Sequence, residues 1–446
     1  IREYQSADSC LKLLTDKLEK KLMLPEEKSW TLCNAGSFAR DTLVCLPADG
    51  KLRPADETGR LLPVQNCPDG LLVRICAEPL SMKTLSFAEE ERGNDEQQEN
   101  VFLWDSQKRI LETPIYTAVW QTDGTLCSLF DKRCCRQVLD VPGNSLTVYE
   151  DKAVVFDAWD IDIYYQEKGY EVDDLKTVSV EKSSLMTKVK MDWNYQDSTI
   201  SQEIRFYNDN RRIDFVTHAD WHEHQQLLRV LFPLDIRTSE ATFDIQYGNV
   251  KRPTYENTSW DMAKFETVAH QWADYSETGY GVSLMNDCKY GYSAKGYVLG
   301  MSLIKCGIHP DYAADQGIHD FTYALYPHSG SWQESGVQKE AWRLNNPLWT
   351  VEGAVDAEVQ SAFCKADTDH VAIDCIKKAE DSEDLIIRFH EYAGMRGPVT
   401  LNFGFPVDSW QETDLMENPD GEEMTGELKV TVRPYEIRTF RVTPKK

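Results

Sequence analysis

The most metal-like combination of side chains in the sequence is His222-Glu223-His224, with Asp220 just ahead of it. Histidines two residues apart share one face of a strand, and imidazole and carboxylate groups are donors that zinc accepts. A metal would still need a third donor and an open position. Leu227-Leu228-Arg229-Val230 follows and reads as strand, so a structural role stands beside the metal one. A second cluster, Asp311 to His319, carries Asp315, Gln316, Gly317 and His319 in a loop, where a carboxylate and an imidazole could reach a sugar or order a turn. The third runs from Arg252 to Tyr292 and holds Trp260, Asp261, Lys264, Phe265, His270, Trp272, Asp274, Tyr275, Asn286, Asp287, Lys289 and Tyr290. Sugars stack their apolar faces on aromatic rings and pair their hydroxyls with carboxylates and amides, so this mixture suits a carbohydrate surface. A packed core with a hydrogen-bonded rim has the same composition.

Other arrangements that carry chemistry are missing. The sequence has no G-x-S-x-G elbow, no phosphate-binding G-x-x-x-x-G-K, no G-x-G-x-x-G and no H-E-x-x-H. Asp and Glu are plentiful, but nothing in their spacing nominates a catalytic pair.

The elements that must position these groups are mostly strands. Leu11, Leu14, Leu18 and Leu22 repeat every three or four residues, which predicts one amphipathic helix that stops at Pro25. Such a helix has little to pack against alone and is expected to dock on other helices upstream. From Trp30 onward, short runs rich in Val, Ile, Leu, Thr, Tyr and Phe alternate with turn residues. Strands are expected at Thr42 to Leu46, Leu71 to Ala77, Tyr116 to Trp120, Leu126 to Phe130, Ile200 to Phe206, Ile213 to His218, Leu227 to Phe232 and Val282 to Leu284. Turns are expected at Asp69-Gly70, Asp123-Gly124, Asn208 to Asn210 and Asp420-Gly421, as antiparallel hairpins require. No helix-strand alternation recurs, which leaves a mainly β chain of sandwiches. Breaks near Pro25, Pro114 and Pro347 divide it into a helix (1–25), a small β-sandwich (26–114), a large sandwich (115–347) and a C-terminal sandwich (348–446).

With 446 residues, 41% hydrophobic and 27% charged, the chain is ordered, globular and long enough for several cores. A formal charge of −26 argues against nucleic acid, which is bound through clustered Lys and Arg. No apolar run approaches the ~20 residues of a membrane-spanning helix. The acidic tracts Glu89 to Glu99 and Glu417 to Glu427 are expected to be solvated loops. The twelve cysteines are irregularly spaced without a C-x-x-C pair, which favours reduced thiols and a cytoplasmic location.

A series of ordered blocks then identifies a family. Arg252-Pro253-Thr254, Asn257-Thr258-Ser259-Trp260-Asp261, Lys264-Phe265-Glu266 and His270-Gln271-Trp272-Ala273-Asp274 come first. Gly279-Tyr280-Gly281-Val282, Asn286-Asp287-Cys288-Lys289-Tyr290-Gly291-Tyr292, Asp315-Gln316-Gly317-Ile318-His319 and Tyr323-Ala324-Leu325-Tyr326-Pro327-His328 follow. Together with Asp157-Ala158-Trp159-Asp160-Ile161 and Asp220-Trp221-His222-Glu223, the series resembles the C-terminal half of family 38 α-mannosidases, in the branch found in bacteria and the eukaryotic cytosol.

That resemblance implies a retaining exo-glycosidase. Its (β/α)7 barrel-like catalytic domain binds zinc through His and Asp and supplies an Asp nucleophile; a three-helix bundle and β-sandwiches follow. On this reading residues 1–25 are a helix of the bundle, residues 115–347 a mutarotase-like supersandwich, and the metal ligands and nucleophile lie upstream of Ile1. The expectation is no catalytic residue and no metal within this chain, with zinc confined to the complete enzyme. Its partners are then the catalytic domain and a mannoside or oligosaccharide, and the sequence is compatible with a homo-oligomer. The residues expected to shape the substrate cleft are Arg252, Trp260, Asp261, His270, Trp272, Asp274, Asp287, Lys289, Tyr290, Asp315 and His319. Two rivals remain open: a stand-alone carbohydrate-binding sandwich protein, and an epimerase or lyase that uses groups within the chain.

Overall fold

The computed structural model describes residues 2–24, 29–47, 52–56, 59–67, 70–89, 101–356 and 360–445. The boundary expected at Pro25, the Asp69 side of the Asp69-Gly70 turn and the acidic tract after Glu89 lie outside these residues. The chain forms two compact units, Glu96–Asn345 and a second one assembled from Ile1–Asp95 and Asn346–Lys446.

The unit Glu96–Asn345 is built on two antiparallel sheets. The larger has nine strands in the order Asp174–Glu181, Met186–Tyr195, Ser198–Tyr207, Ile213–Trp221, Gly317–Ser329, Tyr280–Asn286, Trp272–Glu277, Glu240–Ile245, Gly248–Pro253. The smaller has six: Gly169–Glu171, Ser145–Glu150, Gln226–Pro233, Val298–Lys305, Gly291–Lys295, Thr267–Val268. A five-stranded meander from Leu103–Asp105 to Arg136–Gln137 belongs to the same unit. Period-two alternation drives this: in Ser198–Tyr207 every second residue, including Ile200, Gln202, Ile204 and Phe206, is buried. One continuous core joins the sheets through Trp221, Phe215, Phe232, Tyr323, Tyr275 and Tyr292.

Among the described residues the other unit has two cores. One lies between the sheet containing Ser29–Asn34 and the three-stranded sheet of Arg40–Leu46, Gly70–Ala77 and Val64–Cys67, and is formed by Leu32, Leu46, Val73 and Leu85. The other is a C-terminal sandwich filled by Ile387, Phe389, Val399, Trp410 and Phe440. The expected N-terminal helix spans Arg2–Leu22. Its leucines Leu11, Leu14 and Leu18 are exposed.

Two local expectations change. A helix, Val337–Asn345, interrupts the strands just before the break at Pro347; it is fixed by buried Glu340, which takes hydrogen bonds from Asn210, Arg212 and Arg343. The acidic tract at 417–427 is exposed except at its first residue. Glu417 is buried, paired with Lys377 at 2.7 Å and accepting the Glu380 N–H at 2.9 Å, and these donors hold its carboxyl below the usual range.

Candidate functional site

The two large sheets of Glu96–Asn345 share one end. There Glu150 lies opposite Gln226 and Leu227 opposite Lys305 in the six-stranded sheet, while Trp221 lies opposite Gly317 and Asn286 opposite Tyr323 in the nine-stranded one. The connections leaving these strands are bound to one another. The Gln225 N–H donates to the Cys306 carbonyl at 2.7 Å, Gln316 Nε2 to the Glu223 carbonyl at 2.6 Å and Trp221 Nε1 to Cys306 Sγ at 3.3 Å.

Asp157 is the clasp of the most exposed of these loops. It accepts the N–H groups of Ile308 and His309, both at 2.9 Å, and Nε2 of Gln225 at 3.4 Å. The Ile308 bond is the main reason its carboxyl sits below the ordinary range. Asp162 Oδ2 takes the Val154 N–H at 2.8 Å. The loop so held presents Val154, Phe156 and Trp159 to solvent, with Trp159 85% exposed and packed edge-on against Phe156. Below it, Lys305 pairs with buried Asp151, whose carboxyl burial pushes up against the pull of that lysine.

Behind the same loops lies a charged cluster. Arg229, 1% exposed within the apolar run of Gln226–Pro233, donates to Glu266 and to the Tyr165 hydroxyl, and at 2.7 Å to Ser293 Oγ. Tyr165 donates to Glu266 at 2.5 Å. Burial raises the Glu266 carboxyl and Arg229 opposes this. The cluster fastens the 3-10 turn Ile163–Glu167 and the segment before Thr267–Val268 to the six-stranded sheet.

Some of the residues anticipated as cleft-forming gather at this end. His270 and Tyr290 meet edge to face with ring centres 6.1 Å apart. The Lys289 ammonium lies 4.4 Å from the centre of the Phe321 ring. Asp287 is exposed and accepts the Thr322 N–H at 2.9 Å. His319 Nε2 approaches the Asp315 carbonyl at 2.9 Å, and Asp315 adopts φ 57°. Others lie elsewhere. Arg252 is on the outermost strand of the nine-stranded sheet, opposite Ala241. Trp260 and Asp261 belong to the one-turn helix Ser259–Met262, where Asp261 and Thr258 form a reciprocal cap and the Trp260 ring is exposed. Trp272 and Asp274 are core residues: the Trp272 indole donates to Gln338 at 2.8 Å, and Asp274 pairs with His328.

His222, Glu223 and His224 turn to different partners. His222 Nε2 pairs with Asp220 at 2.8 Å; Glu223 accepts the Ser198 hydroxyl and Asp197 N–H; the His224 ring packs 4.4 Å from Tyr312. Among the described residues no group of three or more His, Cys, Asp or Glu side chains is arranged to hold a metal ion. His222, Glu223 and His224 are thus not gathered into one shared donor set.

The Asp157 clasp and the Arg229 cluster were not picked out by residue spacing. Both had a signal. An arginine inside Leu227-Leu228-Arg229-Val230-Leu231-Phe232 must find a buried partner, because an unpaired charge is too costly there. Likewise Thr258-x-x-Asp261 is a capping-box spacing that assigns Asp261 to its helix.

Comparison with known proteins follows the same division. The profile of the Glycosyl hydrolases family 38 C-terminal domain matches residues 111–313, and that of the family's C-terminal beta sandwich domain matches residues 370–440. Alpha-mannosidase G of Dictyostelium discoideum is 34% identical over 351 residues, covering 74% of this chain and 32% of that protein. Alpha-mannosidase 2C1 of Homo sapiens is 37% identical over 310 residues, covering 66% and 29%. The chain thus spans about a third of the length of these relatives. The crystal structure of an alpha-mannosidase from Enterococcus faecalis V583 has the same fold over 98% of this chain and 58% of its own, with a TM-score of 0.74 at 15% identity.

Proposed function

Because the chain belongs to glycosyl hydrolase family 38, carrying its C-terminal domain and C-terminal beta sandwich domain, we propose that it is the non-catalytic sandwich portion of a retaining, zinc-dependent, cytoplasmic α-mannosidase. Its work is to support the catalytic domain and to form one wall of the cleft that takes a terminal α-mannoside. Zinc and the attacking carboxylate are assigned to the remainder of such an enzyme, and no step at these residues runs through the metal.

The observation that carries the reading is the loop around Trp159. An apolar loop pinned in one conformation by Asp157, with its rings in water, is a surface built to be covered. On the same sheet end, Lys289, Asp287, Tyr290, His270 and His319 offer a cation, a carboxylate, a flat ring and two imidazoles, the groups that pair with sugar hydroxyls and stack on sugar faces. The division of labour is that Trp159 and Phe156 meet protein, while Lys289, Asp287 and Tyr290 meet sugar.

The test is hydrolysis of an aryl α-mannoside by this chain, with and without added zinc, after a thermal melt has established that it is folded. A folded and inactive chain in both conditions is the expected result. Zinc-dependent turnover would put a catalytic centre among these residues and overturn the reading; saturable mannose binding without turnover would favour a stand-alone carbohydrate-binding protein.

A further inference from the structure

Of the twelve cysteines, Cys45 and Cys67 meet. They lie on Arg40–Leu46 and Val64–Cys67, the strands on either side of Gly70–Ala77. Cys45 is opposite Leu72 and Cys67 opposite Gly70. Leu72 and Gly70 are two positions apart on the central strand, so both cysteines are on the same face of the sheet. Gly70 puts no side chain between them; its φ is +137°, and a Cβ there would lie 2.1 Å from the Leu46 carbonyl oxygen. The two Sγ atoms are 3.0 Å apart, and Cys67 also donates to the Gly70 carbonyl at 3.3 Å. A covalent S–S bond is about 2.05 Å, so the two sulfurs must approach by roughly one ångström, and the outer strands must draw in as far as the Cα atoms require. Cys134 and Cys135, although adjacent in sequence, turn apart: Cys134 Sγ accepts from Arg211 and Cys135 donates to the Lys132 carbonyl.

We propose that Cys45 and Cys67 are a disulfide-forming pair, oxidised by exchange with a small disulfide such as oxidised glutathione. One cysteine, as thiolate, attacks a glutathione sulfur; that S–S bond breaks and the first glutathione leaves as thiolate. The second cysteine thiolate attacks the protein-side sulfur of the mixed disulfide, and the second glutathione leaves. The protein loses two protons and two electrons, and both end on the two reduced glutathiones. The new bond ties the outer strands of this small sheet together across Gly70, closing a loop of 22 positions. Such a cross-link acts mainly by restricting the unfolded chain.

The experiment incubates the whole folded chain with oxidised glutathione, blocks the remaining thiols by alkylation and maps the peptides by mass spectrometry. The expected product is a peptide pair joined through Cys45 and Cys67 that carries no glutathione and is lost on reduction, and the intact oxidised chain should melt later by about 5–10 °C in the unit concerned. In Cys45→Ser the same treatment should leave Cys67 holding one glutathione. The wild-type map decides the question even where the variant fails to fold. If Cys45 and Cys67 persist as thiols, stop at mixed disulfides, or join other cysteines in the folded chain, the proposal is overturned.

Discussion

Asp274 Oδ2 and His328 Nε2 face each other at 2.8 Å over Tyr280–Asn286, the strand that separates theirs in the nine-stranded sheet, each side chain 1% exposed. Ser276 and Ser283 donate their hydroxyls to the same carboxylate at 2.5 and 2.7 Å. Gly281 makes the space: a Cβ there would sit 2.3 Å from His328 Cε1. Asp274→Ala strands an imidazole and two hydroxyls away from water and is expected to cost about 3–5 kcal/mol in chemical denaturation. Gly281→Ala should be of similar severity; stability unchanged in both variants would show that the pair is dispensable.

Asp244 gives the fold a pH dependence. Burial pushes its carboxyl up to about 7, with the Gln271 N–H pulling the other way. The folded chain therefore holds a proton that the unfolded chain releases near its ordinary value, and between about pH 4 and 7 folding takes up a proton. Stability contributed by this group is greatest at the acid end, falls as pH rises through that window and levels off above it. Asp244→Asn keeps an acceptor for Gln271 without the charge. At pH 8 it should raise stability by on the order of 2–4 kcal/mol and flatten this slope, as read from denaturation midpoints at pH 5 and pH 8.

Trp159→Ala should leave the denaturation midpoint of this chain within about 0.5 kcal/mol, because the ring has almost no neighbours to lose. Placed in a complete α-mannosidase that contains this sequence, the same change is expected to lower the enzyme's thermal stability or its kcat/KM by tenfold or more. Indifference in both settings removes the loop from the interface.

Lys289→Ala and Asp287→Ala test the proposed sugar contact apart from folding. Each is exposed or half-exposed and should shift stability by about 1 kcal/mol or less. In the complete enzyme each is expected to raise KM for an α-mannoside several-fold while kcat changes less, the signature of lost binding common to ground and transition states.

Arg229→Met leaves Glu266 buried without its cation and should cost about 3–5 kcal/mol. Adding Glu266→Gln to it should restore part of that loss, and a double-mutant cycle measures the coupling.

The strands were the legible part of this chain, and for a physical reason. In Ile200 to Phe206 and Leu227 to Phe232 the apolar side chains largely follow burial, with Gln202 and Arg229 the buried polar exceptions, so the sequence alone locates Ser198–Tyr207 and Gln226–Pro233 to within a residue or two. The helix Arg2–Leu22 was equally plain from its leucine spacing. The helix Val337–Asn345 was hidden, since what stabilises it is Glu340 meeting Asn210 and Arg212 from a distant turn. The candidate site was legible as a mixture of residue types and, more narrowly, as a family resemblance. Residue type does not separate Asp287, open to water, from Asp274, sealed against His328; that difference is set by strand register across the sheet. Asp157 acts through backbone N–H groups of residues 308 and 309, and a side chain that binds backbone leaves no pairing pattern in sequence.

The leucines along Arg2–Leu22 have a colloidal consequence. Leu11, Leu14 and Leu18 form a greasy stripe in water, while the molecule as a whole carries a formal charge of −26. At low ionic strength that charge keeps copies apart. Salt shortens the reach of the repulsion to about 10 Å at 0.1 M and leaves the stripe's attraction intact. A concentrated solution of this chain should therefore scatter more light as sodium chloride is added, the reverse of the familiar salting-in of proteins held together by opposite charges.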